Sequence, residues 1–511
     1  MEPTKRIIVN TIAQYTKAVI NICLSLYSTR LVLDVLSISD YGIYSVVGGL
    51  VAMLGFITNA LVITTQRYIS YYHGQGDKTY VSRLFTNSLF LHTILGLLMV
   101  IILIALKEWL FSGILNIDPD RVDVAQKVYY ITIFMLLTTI LMAPFKALFI
   151  ARENIVYISV VEVCDGIIKL LLVIGLAFIN ADKLLVYALM MAFIQILNFL
   201  AFSIYARWRF IECHFRIRRR DIDFSAIKQL AGFAGWTTYG AGALAARTQG
   251  TAVIINHFVG TVANAAYGVA AQVNYAIFFV SSSIVNAMNP QIMKAEGAGD
   301  RKKVLALASQ ESKYSAILLS IVSIPLLMEL PSILSFWLKE VPADTAMFST
   351  FTLVTCLVDQ FTIGLNAVNQ AQGKIGVYSL LMFTPKLINL PIVWFLLSEN
   401  HSLMSVMWSI LFIEAIVAII RLPFLKYTAG LNMSLYIRNT ILPVLPLILT
   451  LVIVSWGCTK VFHFYLSFIL TVFISILTGI ATAWLFSLSR EERQYITLLI
   501  KNRVKKDDMG D

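Results

Sequence analysis

The chain has 511 residues, of which 58% are hydrophobic and 14% charged, and its mean hydropathy is +0.78. Soluble domains carry about 25% charged residues, so a soluble enzyme, a secreted domain and a disordered scaffold are excluded, and a polytopic membrane protein is implied. The net charge of +11 fits basic loops facing the cytoplasm, with no need for nucleic acid as a partner.

A spanning helix needs roughly 20 mostly apolar residues. Fourteen such segments are predicted, at 7–35, 41–72, 84–111, 126–150, 154–179, 183–206, 230–255, 262–292, 303–331, 345–371, 375–397, 402–426, 438–458 and 462–488. The first follows MEPTKR without a short apolar core or a small-residue cleavage site, and it reads as a retained helix. Gln310, Glu311 and Lys313 interrupt the first half of the ninth. With the N-terminus inside, 28 of the 40 Lys+Arg fall on cytoplasmic ends and loops, six fall outside and six lie within spans. This alternation predicts fourteen spans with both termini cytoplasmic.

The organisation expected is an N-terminal lobe (1–206), a basic cytoplasmic loop (207–229), a second lobe (230–428), two further helices (429–489) and a charged tail (490–511). The Arg216–Arg220 run in that loop reads as an orientation and lipid-headgroup signal. An internal repeat supports the two lobes. Tyr41-Gly42 and Tyr267-Gly268 open the second and eighth segments at an offset of 226, and Gly74-Gln75-Gly76-Asp77 and Gly297-Ala298-Gly299-Asp300 close them at an offset of 223. Parallel six-helix repeats place a substrate site at the lobe interface.

Neither metal nor redox chemistry is indicated. Cys23, Cys164, Cys213, Cys356 and Cys458 form no CxxC, and the six histidines form no metal-binding spacing. No G-x-x-x-x-G-K-[ST] motif occurs, and no outside loop is long enough for a catalytic domain. The chain is therefore expected not to be an enzyme and to need no cofactor.

Six cations lie within predicted spans: Lys17, Arg30, Lys169, Arg247, Lys313 and Lys386. Six facing lipid would cost roughly 15–20 kcal/mol, so they must face water, an acid or an anionic ligand. Asn10, Gln14, Lys17 and Asn21 recur at helical spacing as one polar stripe, and Asn366 and Asn369 lie on the tenth segment. Such stripes describe a hydrated cavity. Lys169 has Asp165 four residues back and Arg30 has Asp34 four residues on, so local pairing or snorkelling stays open for both. Asp359 and Glu414 are candidate sites for coupling to Na+ or H+, with buried ion pairing as the alternative. A water-filled cavity with more cations than acids suits an anionic substrate, and Lys and Arg suit phosphate.

These features resemble the Wzx-type polysaccharide and O-antigen repeat-unit flippases of the MATE-like multidrug/oligosaccharidyl-lipid/polysaccharide exporter superfamily. The resemblance rests on the repeat, on Asp40-Tyr41-Gly42-Ile43-Tyr44 and Ala266-Tyr267-Gly268, and on Thr65-Gln66-Arg67 and Asn289-Pro290-Gln291 at helix ends. It implies an all-α two-lobe transporter that flips undecaprenyl-pyrophosphate-linked oligosaccharide by alternating access, in contact with membrane lipids and working with a polysaccharide polymerase. Lys17, Arg30, Lys169, Arg247 and Lys386 would then grip the pyrophosphate, and Asn10, Gln14, Asn21, Asn366 and Asn369 would hydrate the sugars. The last two helices also resemble those of the lipid II flippase branch. The rival within the same fold is a multidrug-type cation antiporter.

Overall fold

The computed structural model describes residues 3–36, 40, 43–44, 47–48, 54–114, 117, 119–213, 222–338, 341–462, 466–494 and 497–498, with some side chains in these ranges, Arg30 and Asp34 among them, outside the description. The Arg216–Arg220 run also lies outside the described residues. Among the described residues every regular element is helical. In order they are α1 (Pro3–Val35), α2 (Gly55–Gln75), α3 (Lys78–Trp109), α4 (Val122–Ala151), α5 (Ile155–Leu176), α6 (Lys183–Arg209), α7 (Phe224–Phe258), α8 (Thr261–Gly297) and α9 (Arg301–Met328). There follow α10 (Leu330–Trp337), α11 (Thr345–Gln360), α12 (Ile363–Gln372), α13 (Ile375–Ser398), α14 (Leu403–Ala429), α15 (Met433–Tyr436), α16 (Leu445–Val461) and α17 (Ser467–Thr482).

Among the described residues, eight helices are long and apolar enough to cross a membrane, or ten if two bent pairs each count as one span. The protein is thus a multi-pass membrane protein, and among the described residues length and composition mark eight to ten spans, against fourteen expected for the whole chain. The difference has physical causes. Glu162, Asp165 and Lys169 charge the middle of α5, and α2 and α7 are rich in Thr, Gln, Gly and Tyr. Much of 41–53 lies outside the described residues.

The expected span 345–371 is broken. Helices α11 and α12 meet at an angle of 50°. A break frees backbone groups that lipid cannot satisfy. Here the Tyr436 hydroxyl donates to the Phe361 carbonyl at 2.7 Å, and the Gly364 amide donates to Ser312 Oγ at 2.9 Å. Helix α9 runs unbroken from Arg301 to Met328, and its Gln310, Glu311 and Lys313 are accommodated within it.

Two compact units are resolved. The first joins Met1–Gly242 with Asn286–Asp300 and Gln370–Ser379, and the second joins Ala243–Val285, Arg301–Asn369 and Leu380–Asp511. In the first, Phe149, Tyr157 and Tyr205 stack at centroid distances of 4.9 and 4.1 Å and anchor α4, α5 and α6. Such pairs add about 0.5–1.5 kcal/mol each beyond their buried area.

The repeated glycine turns also meet in the first unit. A Cβ on Gly74 would strike the Lys294 carbonyl, and a Cβ on Gly297 would strike the Tyr71 carbonyl. Each contact residue lies three positions before the other glycine. The repeat therefore packs against itself reciprocally. Gly76 and Gly299 both adopt positive φ, 82° and 77°, which ends α2 and α8 in the same left-handed turn. Asp77 then accepts the Tyr80 amide at 2.9 Å and caps α3.

Candidate functional site

Within each unit, intramembrane cations gather around a carboxylate. In the first unit Glu162 on α5 is the centre. Lys17 Nζ lies 2.7 Å from its Oε2 and Lys146 Nζ 2.7 Å from its Oε1. One helical turn on, Asp165 accepts Asn198 Nδ2 at 2.6 Å and pairs with Lys169 at 2.7 Å. The stripe on α1 faces this network. Asn10 and Gln14 are buried, Asn10 donates to the Glu153 carbonyl at 3.0 Å, and Asn21 Oδ1 lies 3.3 Å from the Cβ position of Gly166 on α5. The small Gly166 is what lets α1 approach so closely. Asn10 also lines a cavity of about 910 Å³ shared with Arg152, Arg209 and Glu212.

In the second unit Glu414 on α14 is the centre, 2% exposed. Its Oε2 lies 2.9 Å from Arg247 Nη1 on α7, and its Oε1 lies 2.6 Å from Lys386 Nζ on α13. Further along α14, Arg421 pairs with Asp359 at 2.7 Å and donates to Thr362 Oγ1 at 3.0 Å. Asn369 is buried, and its Nδ2 has no hydrogen-bond partner among the described residues. Asn366 on α12 is half-buried. Asn389, one turn from Lys386, donates to Ser409 Oγ at 3.0 Å.

The structure therefore brings Arg247, Lys386 and Glu414 together, and it brings Lys17 to Glu162. Lys169 sits in its local pair, and the Arg30 side chain lies outside the described residues. Lys313 does not pair with its neighbour Glu311. Its Nζ is held at 2.7 Å by both oxygens of Glu492, which also accepts the Tyr314 hydroxyl at 2.7 Å.

Two residues of these networks, and a third buried cation outside them, escape a reading of the sequence. Lys146 and Arg421 lie near predicted helix ends, where spacing alone places them at the cytoplasmic face. Arg67 falls in the same class, yet it is 5% exposed. It donates to the carbonyls of Gln370 at 3.0 Å and Ala371 at 2.8 Å, and it packs over Tyr68 at 4.3 Å and Tyr71 at 5.0 Å. The Thr65-Gln66-Arg67 helix end is the one sequence signal for it.

Against known structures, the chain aligns with a MOP superfamily transporter from Pyrococcus furiosus at TM-score 0.71 and 14% identity, over 84% of this chain and 96% of that one. It aligns with a MATE structure in the straight conformation at TM-score 0.69 and 15% identity, over 86% and 98%. A multidrug resistance MATE family transporter in an outward-facing conformation aligns at TM-score 0.69 and 13% identity, over 85% and 97%. The chain has the MATE transporter fold. No protein-family model matches the sequence, and no curated protein matches it significantly.

Proposed function

We propose that this MATE-fold protein is a flippase for an anionic lipid-linked oligosaccharide, with undecaprenyl-pyrophosphate-linked repeat units as its substrate. The observation that carries this reading is charge. Each unit holds one carboxylate between two cations, Lys17–Glu162–Lys146 with Glu162 27% exposed and Arg247–Glu414–Lys386 with Glu414 fully buried. Each triad holds one positive charge more than its acid cancels. In an apolar surround that excess favours an anion, and pyrophosphate supplies one.

On this reading Lys17, Arg30 and Lys169 are the anion-binding residues of the first unit and Arg247 and Lys386 those of the second, and Asn10, Gln14, Asn21, Asn366 and Asn369 serve the sugars. Movement is by alternating access in the bacterial inner membrane, with both termini cytoplasmic and no chemistry on the substrate. The product passes to a polysaccharide polymerase.

The second reading is a multidrug-type antiporter, favoured by the neighbour described as a multidrug resistance transporter. The Pyrococcus neighbour is described by a binding pocket of reverse polarity that suggests a different function. Charge sign within one fold is thus the feature to test. In proteoliposomes, transbilayer movement of a fluorescent undecaprenyl-pyrophosphate oligosaccharide is expected in the wild type and is lost in Lys17→Ala, Arg247→Ala and Lys386→Ala, with no exchange of a cationic dye. Dye exchange without glycolipid movement would favour the antiporter.

A further inference from the structure

The cavity of about 910 Å³ that Asn10 lines belongs wholly to the first unit and contains no triad residue. Its walls are α1 at Asn10, α3 at Ser82, the α4–α5 turn from Arg152 to Asn154, and Tyr205, Arg209 and Glu212 at and beyond the end of α6. The cavity lies at headgroup level. Helix α6 runs from Lys183 to a last turn that carries Arg207, Trp208 and Arg209, and a tryptophan among basic residues at the end of an apolar helix marks the membrane–water interface. Trp208 and Ile211 are 83% and 84% exposed, and Val156 is 38% exposed. Ile211 and Val156 both line the cavity, so its rim is apolar where its floor is polar.

The floor is built at a cost. Glu153 takes a φ of 57°, the left-handed region that residues with a Cβ seldom occupy. Asn10 holds that turn by donating to the Glu153 carbonyl at 3.0 Å. Glu212 is buried and pairs with Arg152, and its carbonyl accepts the Ser82 hydroxyl at 3.4 Å. These bonds tie α1, α3, the α4–α5 turn and the chain beyond α6 around one space. Strained backbone held by its surroundings gathers at binding sites.

What these bonds leave over is donors. Arg152 Nε is buried without a hydrogen-bond partner among the described residues. Arg209 is exposed and makes no ion pair among them. No side chain caps α5, although Asn154 stands at its N-cap, so the amides of its first turn are open to a ligand. Asn154 and Val156 put that turn in the cavity wall. Guanidinium groups beside the free amides of a helix start are the chemistry of phosphate recognition. Glu153 and Glu212 balance Arg152 and Arg209, so the lining is formally neutral. A phosphodiester, with one negative charge, suits it better than a more highly charged phosphate.

We infer that this cavity binds the phosphodiester headgroup of a membrane phospholipid, with Arg209, Arg152 and the first turn of α5 on the phosphate and the acyl chains leaving over Val156 and Ile211. No triad residue takes part and no transport is measured, so this site and the substrate reading can fail separately. The full-length protein is placed in nanodiscs of digalactosyldiacylglycerol, which carries no phosphate, with and without added phosphatidylethanolamine. Neither lipid has a net charge, so the surface potential stays the same. Hydrogen exchange over residues 153–158 is followed by mass spectrometry. Phosphatidylethanolamine is expected to slow it by about tenfold, the effect of one charge-assisted hydrogen bond. Arg209→Ala, which breaks no bond within the protein, loses that protection, and Arg83→Ala, an exposed arginine outside the cavity, keeps it. Inorganic phosphate added to the phosphate-free nanodiscs gives no protection. Equal exchange with and without phosphatidylethanolamine overturns the inference, as does protection that survives in Arg209→Ala. Protection by inorganic phosphate alone overturns the lipid as its source and assigns the cavity to a free phosphate.

Discussion

The Glu414 triad makes an ordered prediction about charge. Glu414→Gln leaves Arg247 and Lys386 without the carboxylate that lies 2.9 and 2.6 Å from them. Removing one partner of a buried pair costs about 3–5 kcal/mol, because an uncompensated charge remains. Lys386→Met is milder: Glu414 keeps Arg247 and loses one charge-assisted hydrogen bond, about 1.5–3 kcal/mol. The double variant removes one charge of each sign and leaves Arg247, whose side chain is 17% exposed and reaches some water. Its cost falls short of the sum by about 0.5–3 kcal/mol, the range of coupled neighbours. Equilibrium unfolding in mixed detergent micelles reads all three. Additivity within about 0.5 kcal/mol, or a Lys386→Met cost larger than that of Glu414→Gln, would refute the claim that the carboxylate holds the triad together.

Three further predictions concern packing and termini. Gly74→Ala and Gly297→Ala each drive a methyl into a facing carbonyl and should cost about 1–3 kcal/mol, whereas Gly457→Ala, with open space around it, leaves the unfolding midpoint unchanged. Tyr436→Phe orphans the Phe361 carbonyl at a cost of about 1–3 kcal/mol; an unchanged midpoint would mean that water serves the break instead. Glu492 lies outside the spans. Burial pushes its carboxyl up, but the hydrogen bonds from Lys313 and Tyr314 outweigh that and hold it below the usual range. Its contribution is therefore present at neutral pH and fades as pH falls through and below the ordinary carboxyl range. Glu492→Gln should flatten the acid limb of a stability profile, and an unaltered limb would show that the tail does not clamp α9.

Much of this is legible in hydropathy and spacing. Helices overlie the predicted segments because an apolar run in lipid must satisfy its backbone internally. The i−4 pair of Lys169 with Asp165 is readable because helix geometry alone creates it. Partners distant in sequence are not readable. Glu162 and Lys17 lie 145 positions apart, and Lys313 and Glu492 lie 179 apart. Helix-end cations mislead for a related reason. Nearness to a helix end suggests snorkelling to water, whereas Arg67 turns inward because the carbonyls of Gln370 and Ala371 accept its donors. The α11–α12 break carries no proline; it depends on hydroxyls from α9 and from Tyr436 that only the fold supplies.

The triads also bear on how an anion is gripped. Any phosphate held by Arg247 and Lys386 competes with Glu414, which already accepts from both. Neutralising Glu414 should therefore act oppositely on stability and on binding. Glu414→Gln weakens the fold but removes the competitor, leaving both cations for the ligand. At the separations of the triad, one unit of charge is worth a few kcal/mol at an effective dielectric of about 20. Screening and relaxation reduce that, and about tenfold tighter binding corresponds to about 1.4 kcal/mol. Binding of a pyrophosphate-bearing lipid to Glu414→Gln in nanodiscs, at low salt and measured on the folded fraction, should thus tighten by about tenfold or more. Weaker binding would mean that Glu414 orients Arg247 and Lys386 for the ligand, and that the triad grips its substrate as a unit with the acid in place.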